Sequence, residues 1–246
     1  MRSFRNVIGL LAVLLLPCVA FGQADKEPPR VYTGNLGGGL ALTNGNTDTR
    51  NVNLTAGLVR DPKTKNVTKG TFSYLRGSQN DILNLDRTAV NLRNEYAISE
   101  RVFVFGQADY LRDKFKDIIF LWVPTAGLGY KLVNTSNTLF TVDGAAGGLI
   151  EKNPGRTLSK SGSLVPGQRF SQKLSSTATV TESLSTIFKT KDFGDSLTNF
   201  TLGLTTTLVR KLELKLEFID SYKNKPTDTK LKKNDTAFVT AFVVKL

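Results

Sequence analysis

Histidine is absent from the 246-residue chain. That removes the commonest general base, and Ser–His hydrolysis goes with it. Cysteine occurs once, at Cys18, inside a stretch read below as a cleaved leader. The mature chain then has no disulfide to staple it, and zinc finds neither thiolate nor imidazole. Gly37–Gly39 and Gly144–Gly148 are glycine-rich, but neither matches a P-loop. Beyond the N-terminus no apolar run approaches the roughly 18 residues of a membrane helix. Helical periodicity is missing after residue 24 as well. No catalytic, cofactor-binding or metal-ligating residue is assigned, no cofactor is expected, and the chain is not read as an enzyme.

What is present begins with a leader. Arg2 and Arg5 precede the apolar run Val7–Leu16, Pro17 breaks it, and small residues end near Gly22-Gln23-Ala24. The run is about ten residues, too short to span a bilayer as a helix. The layout is that of a secretory signal cleaved after Ala24. Leu15-Leu16-Pro17-Cys18 fits a lipidation site poorly, because Pro stands directly before Cys. Three segments follow: a signal over 1–24, an extended lead-in with Pro28-Pro29 over 25–33, and a β domain over 34–246. The net charge is +12, or +10 without Arg2 and Arg5. A basic chain can bind nucleic acid, but an exported one meets anionic headgroups or solvent, so no nucleic-acid partner is expected.

The domain is patterned with a period of two. Leu212, Leu214, Leu216 and Phe218 alternate with Glu213, Lys215 and Glu217, and Phe238, Phe242, Val244 and Leu246 share one parity. Val52, Leu54, Ala56 and Leu58 oppose Asn51, Asn53, Thr55 and Gly57 in the same way. β-branched and aromatic enrichment favours strands. The spacing predicts twelve, near 34–44, 48–60, 67–79, 86–98, 102–112, 118–132, 138–151, 164–174, 178–189, 197–209, 212–222 and 235–246. The ninth, through Val180, Glu182 and Leu184, has no fixed register at this stage.

Connections alternate between longer polar loops (Gln79–Asp86, Lys152–Ser163, Thr190–Ser196, Lys223–Asn234) and tighter turns such as Ser99–Arg101 and Arg210-Lys211. An even number of long strands with that alternation marks a transmembrane antiparallel up-and-down β-barrel. A soluble sandwich uses strands of about 5–6 residues. Arg93, Glu95, Asp109, Lys131, Asp143, Glu213, Lys215 and Glu217 all fall on the polar parity. A sandwich core could not hold them without a severe desolvation cost, though an outward sandwich face could. In a barrel they line the lumen. Glu213 and Glu217 lie about 13 Å apart along a strand, too far for joint acid–base work. Tyr96, Phe103, Trp122, Tyr130, Phe188, Phe218 and Tyr222 sit toward strand ends, as interfacial girdles do.

Gly37–Thr49, with its Gly45-Asn46-Thr47-Asp48 turn, resembles the opening of the salt-induced outer-membrane proteins of the DUF481 family. So do Asn94-Glu95-Tyr96, Ser99–Gly106, Ala126–Leu132 and Val142–Gly148. The resemblance implies a bacterial outer-membrane barrel without assigned biochemical activity. Such barrels usually end in an aromatic residue and this chain ends in Leu246, although Phe242 and Val244 keep the parity. Outer-membrane lipid, lipopolysaccharide and the insertion machinery are the expected partners. Lys223, Lys225, Lys230, Lys232 and Lys233 are candidate headgroup contacts. Three readings stay open: an envelope barrel serving osmotic or structural adaptation, a narrow channel with a charged lumen, and a soluble secreted β-sandwich binding protein.

Overall fold

The computed structural model describes residues 31–43, 49–226 and 231–246. The leader and its cleavage point lie outside the described residues, as do Asn44–Asp48 and Lys230. Twelve strands make up the domain: β1 (Tyr32–Thr43), β2 (Thr49–Arg60), β3 (Asn66–Gln79), β4 (Ile82–Ala97), β5 (Val102–Asp113) and β6 (Ile118–Asn134) come first. β7 (Thr138–Lys152), β8 (Ser159–Lys173), β9 (Ala178–Lys189), β10 (Asp192–Val209), β11 (Leu212–Lys223) and β12 (Asn234–Lys245) follow. One 3₁₀ turn, Lys114–Lys116, joins β5 to β6.

Each strand pairs antiparallel with its chain neighbour, and β1 closes the ring against β12. A single closed sheet has one inside and one outside, which overturns the sandwich alternative. Alternation then sorts the side chains. Leu36, Leu54, Leu92, Leu128, Leu202 and Phe242 stand exposed around the outside, while Leu75, Val123, Leu149 and Val239 are buried within. Inside a bilayer, water cannot satisfy backbone groups, and a closed ladder satisfies them internally. A closed wall wrapped in exposed apolar side chains is a transmembrane barrel. No helix of the described residues is long and apolar enough to cross a membrane.

The start of β1 and the end of β12 lie at one rim, here the near end, where the Leu246 N–H donates to the Gly34 carbonyl at 2.9 Å. The far-end loops are shorter than the sequence predicts, because strands occupy much of them. β4 begins at Ile82, β8 at Ser159 and β10 at Asp192. Gln79–Asp86 contracts to a two-residue hairpin in which Asn80 and Asp81 both have positive φ, the geometry of a type I′ turn. The contrast in loop length largely disappears. The register of β9 is fixed by pairs such as Gln168–Leu184 and Phe170–Glu182. That places Glu182 outward, where its Oε1 accepts from Gln168 Nε2 at 3.2 Å.

The interior is packed unevenly. Phe103, Phe105, Leu111, Leu121, Val123, Leu149, Val165, Ile187 and Leu197 form one apolar cluster running from β5 to β10. Phe103 is thus not part of the outer aromatic girdle. Its odd position in β5 turns it inward, 4% exposed, against Gly129 of β6. A Cβ at Gly129 would stand 2.1 Å from Phe103 Cζ. Tyr96, Trp122, Tyr130, Phe218 and Tyr222 do face out and are exposed.

Candidate functional site

The odd positions of β3, β4, β5, β7 and β8 bring a first network together toward the near end. Arg93 is its centre, with a side chain 3% exposed. Its Nε donates to Glu95 at 2.7 Å, Nη1 to Gln107 at 2.7 Å and Nη2 to Asp143 at 3.0 Å. Asp143 also holds Arg169, and Glu95 holds Lys69 at 2.7 Å. Asp109 accepts from Asn91 at 2.6 Å and from Gln107 at 2.7 Å. The Arg93 guanidinium lies over the Phe105 ring, 3.5 Å from its centroid. That contact gives the cation an apolar floor, and a desolvated cation–π pair is worth about 2 kcal/mol. Three cations face three carboxylates, so the network is neutral.

A second network lies toward the far end. Glu151 of β7, buried, holds Lys189 and Lys223, the latter at 3.2 Å. Asp195 of β10 shares the same two lysines at 2.5 and 3.4 Å. Asn153, the residue after β7, reaches the Asp117 carbonyl at 2.7 Å. Lys116, on the 3₁₀ turn, crosses to Asp235 of β12 at 2.7 Å. Between the networks Arg87 of β4 donates to Asn199 of β10 at 3.2 Å. Those strands are six places apart in the ring of twelve, so the bond joins opposite walls.

A chamber of about 610 Å³ remains between these layers. Thr71, Arg87, Asn91, Asn199, Thr201 and Lys215 are among its lining residues. Lys215 pairs with Glu217 at 2.7 Å. Glu213 pairs with Lys245 at 2.6 Å and accepts from Thr207 at 3.2 Å. Lys131 sits on the inward parity of β6 near its end. All eight residues assigned to the lumen therefore lie on inward positions, and Arg93, Glu95, Asp109 and Asp143 are brought into one connected network.

The lysine group divides. Lys223 is the correction: it ends β11 on an inward position and is buried against Glu151 and Asp195, so it has no access to headgroups. Its lysine-rich neighbourhood suggested a surface loop, but the strand runs one residue further and carries it inside. Lys225 is exposed and pairs with Asp192 at 2.6 Å. Lys232 and Lys233 are exposed near the start of β12, and the Lys233 carbonyl receives Lys116 Nζ at 3.3 Å. Sequence reasoning missed Glu151, Lys189 and Asp195. Glu151 and Lys189 lie at strand ends, where alternation fades, and Asp195 lies in a stretch read as loop.

Among the described residues no group of histidine, cysteine or carboxylate side chains could hold a metal ion. Outside the bilayer-facing region, the Lys63 ammonium and backbone hold the Asp61 carboxyl below its ordinary range.

Several solved barrels are similar to this chain. The NanC porin is 10% identical, with 87% of this chain and 97% of that chain covered at a TM-score of 0.48. The translocator domain of the autotransporter NalP from Neisseria meningitidis is 14% identical, with 89% of each chain covered and a TM-score of 0.46. The KdgM porin is 6% identical, with 87% and 96% covered and a TM-score of 0.44. Comparison with curated proteins gives no match. The family model described as "Protein of unknown function, DUF481" matches residues 37–246, and the chain belongs to the DUF481 family.

Proposed function

We infer that this is a bacterial outer-membrane barrel, exported by a signal over residues 1–24, that keeps its lumen shut and serves the envelope in osmotic or structural adaptation. One observation carries the reading: two neutral ion-pair networks link non-neighbouring strands inside the barrel at different heights, around Arg93 and around Glu151. Each links strands that are not neighbours, so the pairs brace the wall from inside and occupy the axial path. Buried pairs are screened by salt far less than exposed ones, so the bracing persists at high ionic strength. The link to salt stress is what the family resemblance supplies. The near end then faces the periplasm, and Lys225, Lys232 and Lys233 at the other rim suit lipopolysaccharide phosphates.

Planar bilayers test this reading. Purified wild-type protein inserts without steady conductance steps, and Arg93→Ala combined with Lys223→Ala produces openings. Regular, salt-proportional steps from the wild type would overturn it. The second reading is a narrow, gated channel, and the polar chamber of about 610 Å³ favours it. That reading requires wild-type openings that appear under a trigger such as voltage.

A further inference from the structure

The outer face of β2 to β5 changes character toward the far end. Phe72, Val90, Tyr110 and Trp122 lie side by side across β3, β4, β5 and β6, through the pairs Phe72–Val90, Val90–Tyr110 and Tyr110–Trp122. All four are exposed on the bilayer face. Further toward the far end, the same outward parity carries Arg50 on β2, Arg76 on β3, Asp86 on β4 and Arg112 on β5. An aromatic row marks the level of a membrane interface, and basic side chains beyond it reach headgroups along apolar surface. The opposite arc differs. There Thr198, Asp220, Tyr222 and Thr236 take the far-end outward positions of β10 to β12, and none is a cation. The basic patch is local.

Within the patch the cations outnumber the acids. Arg112 Nη1 donates to the buried Asp86 at 3.0 Å. Arg76 stands directly opposite Asp86 in the register. It is exposed, with the Tyr74 side chain as its hydrogen-bond partner, and it takes part in no ion pair among the described residues. Arg50 meets Asp81 of the β3–β4 hairpin at 3.5 Å, both side chains being largely exposed. An exposed pair of that kind is worth little. Three guanidinium groups thus face two carboxylates, one of them loosely held at a hairpin tip. The lumenal networks are neutral, whereas this surplus lies on the outer wall, and cations at headgroup level attract anionic lipid.

We propose that Arg50, Arg76 and Arg112 form a binding site on the outer wall for the phosphomonoester of a membrane lipid headgroup. Guanidinium forks match phosphate oxygens in bidentate fashion, and Asp86 fixes the direction of one of them. The lipid chains require no pocket, because they lie along Phe72, Val90 and Tyr110 as bilayer chains do along any barrel wall. The identity of the lipid rests on the orientation inferred above. With the near end in the periplasm, the patch lies in the outer leaflet, where lipopolysaccharide carries its phosphates. The site is separate from Lys225, Lys232 and Lys233, which belong to the β11–β12 connection, and it is independent of whether the lumen conducts.

Trp122 supplies the readout. It is the only tryptophan of the chain, and it stands opposite Tyr110, which is about 7 Å from Arg112 along β5. The barrel is reconstituted in phosphatidylcholine vesicles containing lipids with the same brominated chains and one of three headgroups: phosphatidic acid, phosphatidylglycerol or phosphatidylcholine. Phosphatidic acid should quench Trp122 at about a tenth of the concentration that phosphatidylcholine needs. Arg50→Gln with Arg76→Gln, both at exposed positions, should remove most of that preference. Arg112→Gln with Asp86→Asn should do the same without leaving a buried charge unpaired. Arg60→Gln, on the same face of β2 at the opposite rim, should leave it intact. Unlabelled lipid A should relieve the quenching, and its dephosphorylated form should not. Absence of a preference for the phosphomonoester overturns the proposal, as does a preference unchanged in both double variants. So does a preference that inorganic phosphate abolishes, since the patch would then be a site for a soluble anion. Vesicles read the site whichever way the barrel inserts, and orientation is read separately by labelling Lys232→Cys from outside intact cells. Labelling that fails there, with the lipid preference intact, supports the site and overturns the orientation alone.

Discussion

Arg93 is the hub of the near-end network, because three hydrogen-bonding or ionic partners and two rings converge on it. Removing one member of a buried ion pair leaves an uncompensated charge at a cost of about 3–5 kcal/mol. Arg93→Ala should therefore lower the midpoint of the heat-induced shift in gel mobility by several degrees, and Arg93→Lys should recover little, since an ammonium lacks the planar fork. Gly129 makes a second test. Gly129→Val drives a side chain into Phe103, and overpacking of that kind costs about 1–3 kcal/mol. Combining it with Phe103→Ala should cost less than the two changes summed, as chemical denaturation in micelles would reveal. These residues also show what the sequence could and could not disclose. Period-two alternation puts Arg93 inside, because one neighbour in parity fixes the next. It could not name Asp143 as a partner, since β4 and β7 are three strands apart in the ring. Phe103 was lost to a general expectation about aromatic girdles, although its own parity already pointed inward.

At the scale of the element, strand positions within the bilayer region were legible and strand ends were not. Outward positions at bilayer depth are predominantly apolar, so Leu212, Leu214 and Leu216 alternate cleanly. Beyond the rim both faces of a strand are wet, and polar residues such as Asp86 and Asp192 look like loop although they are paired in the ladders. The β3–β4 hairpin makes this testable. Asp81 adopts a φ of 61°, which a β-branched residue resists at a cost of about 1–2 kcal/mol. Asp81→Gly should hold or raise stability and Asp81→Val should lower it, both read from urea midpoints. Lys223 and Lys232 divide the far-end lysines in the same way. Lys223→Ala strips Glu151 and Asp195 of a buried partner and should destabilise the barrel, whereas Lys232→Ala, at an exposed position, should stay within about 0.5 kcal/mol.

At the scale of the whole molecule, the proposal of a shut lumen rests on a neutral, braced interior inside an apolar wall. Neutrality matters because each network can be buried without a net charge to solvate. The apolar cluster from β5 to β10 packs inside the wall beside the ion pairs. What the sequence could not reveal here is how the interior is filled, since twelve strands can enclose either a filled interior or a passage. Side-chain volume and partner choice decide between the two, and neither follows from strand count.

The most direct test is a nitroxide scan along β11, placing single labels at Glu213 through Phe218 and measuring collision with oxygen and with a water-soluble nickel chelate. Labels at Leu214, Leu216 and Phe218 should respond to oxygen, which concentrates in lipid. Those at Lys215 and Glu217 should be shielded from both reagents if the lumen is shut as proposed. Strong nickel response at Lys215 and Glu217 would mean an open aqueous pore, and loss of the two-residue alternation would contradict the barrel orientation itself.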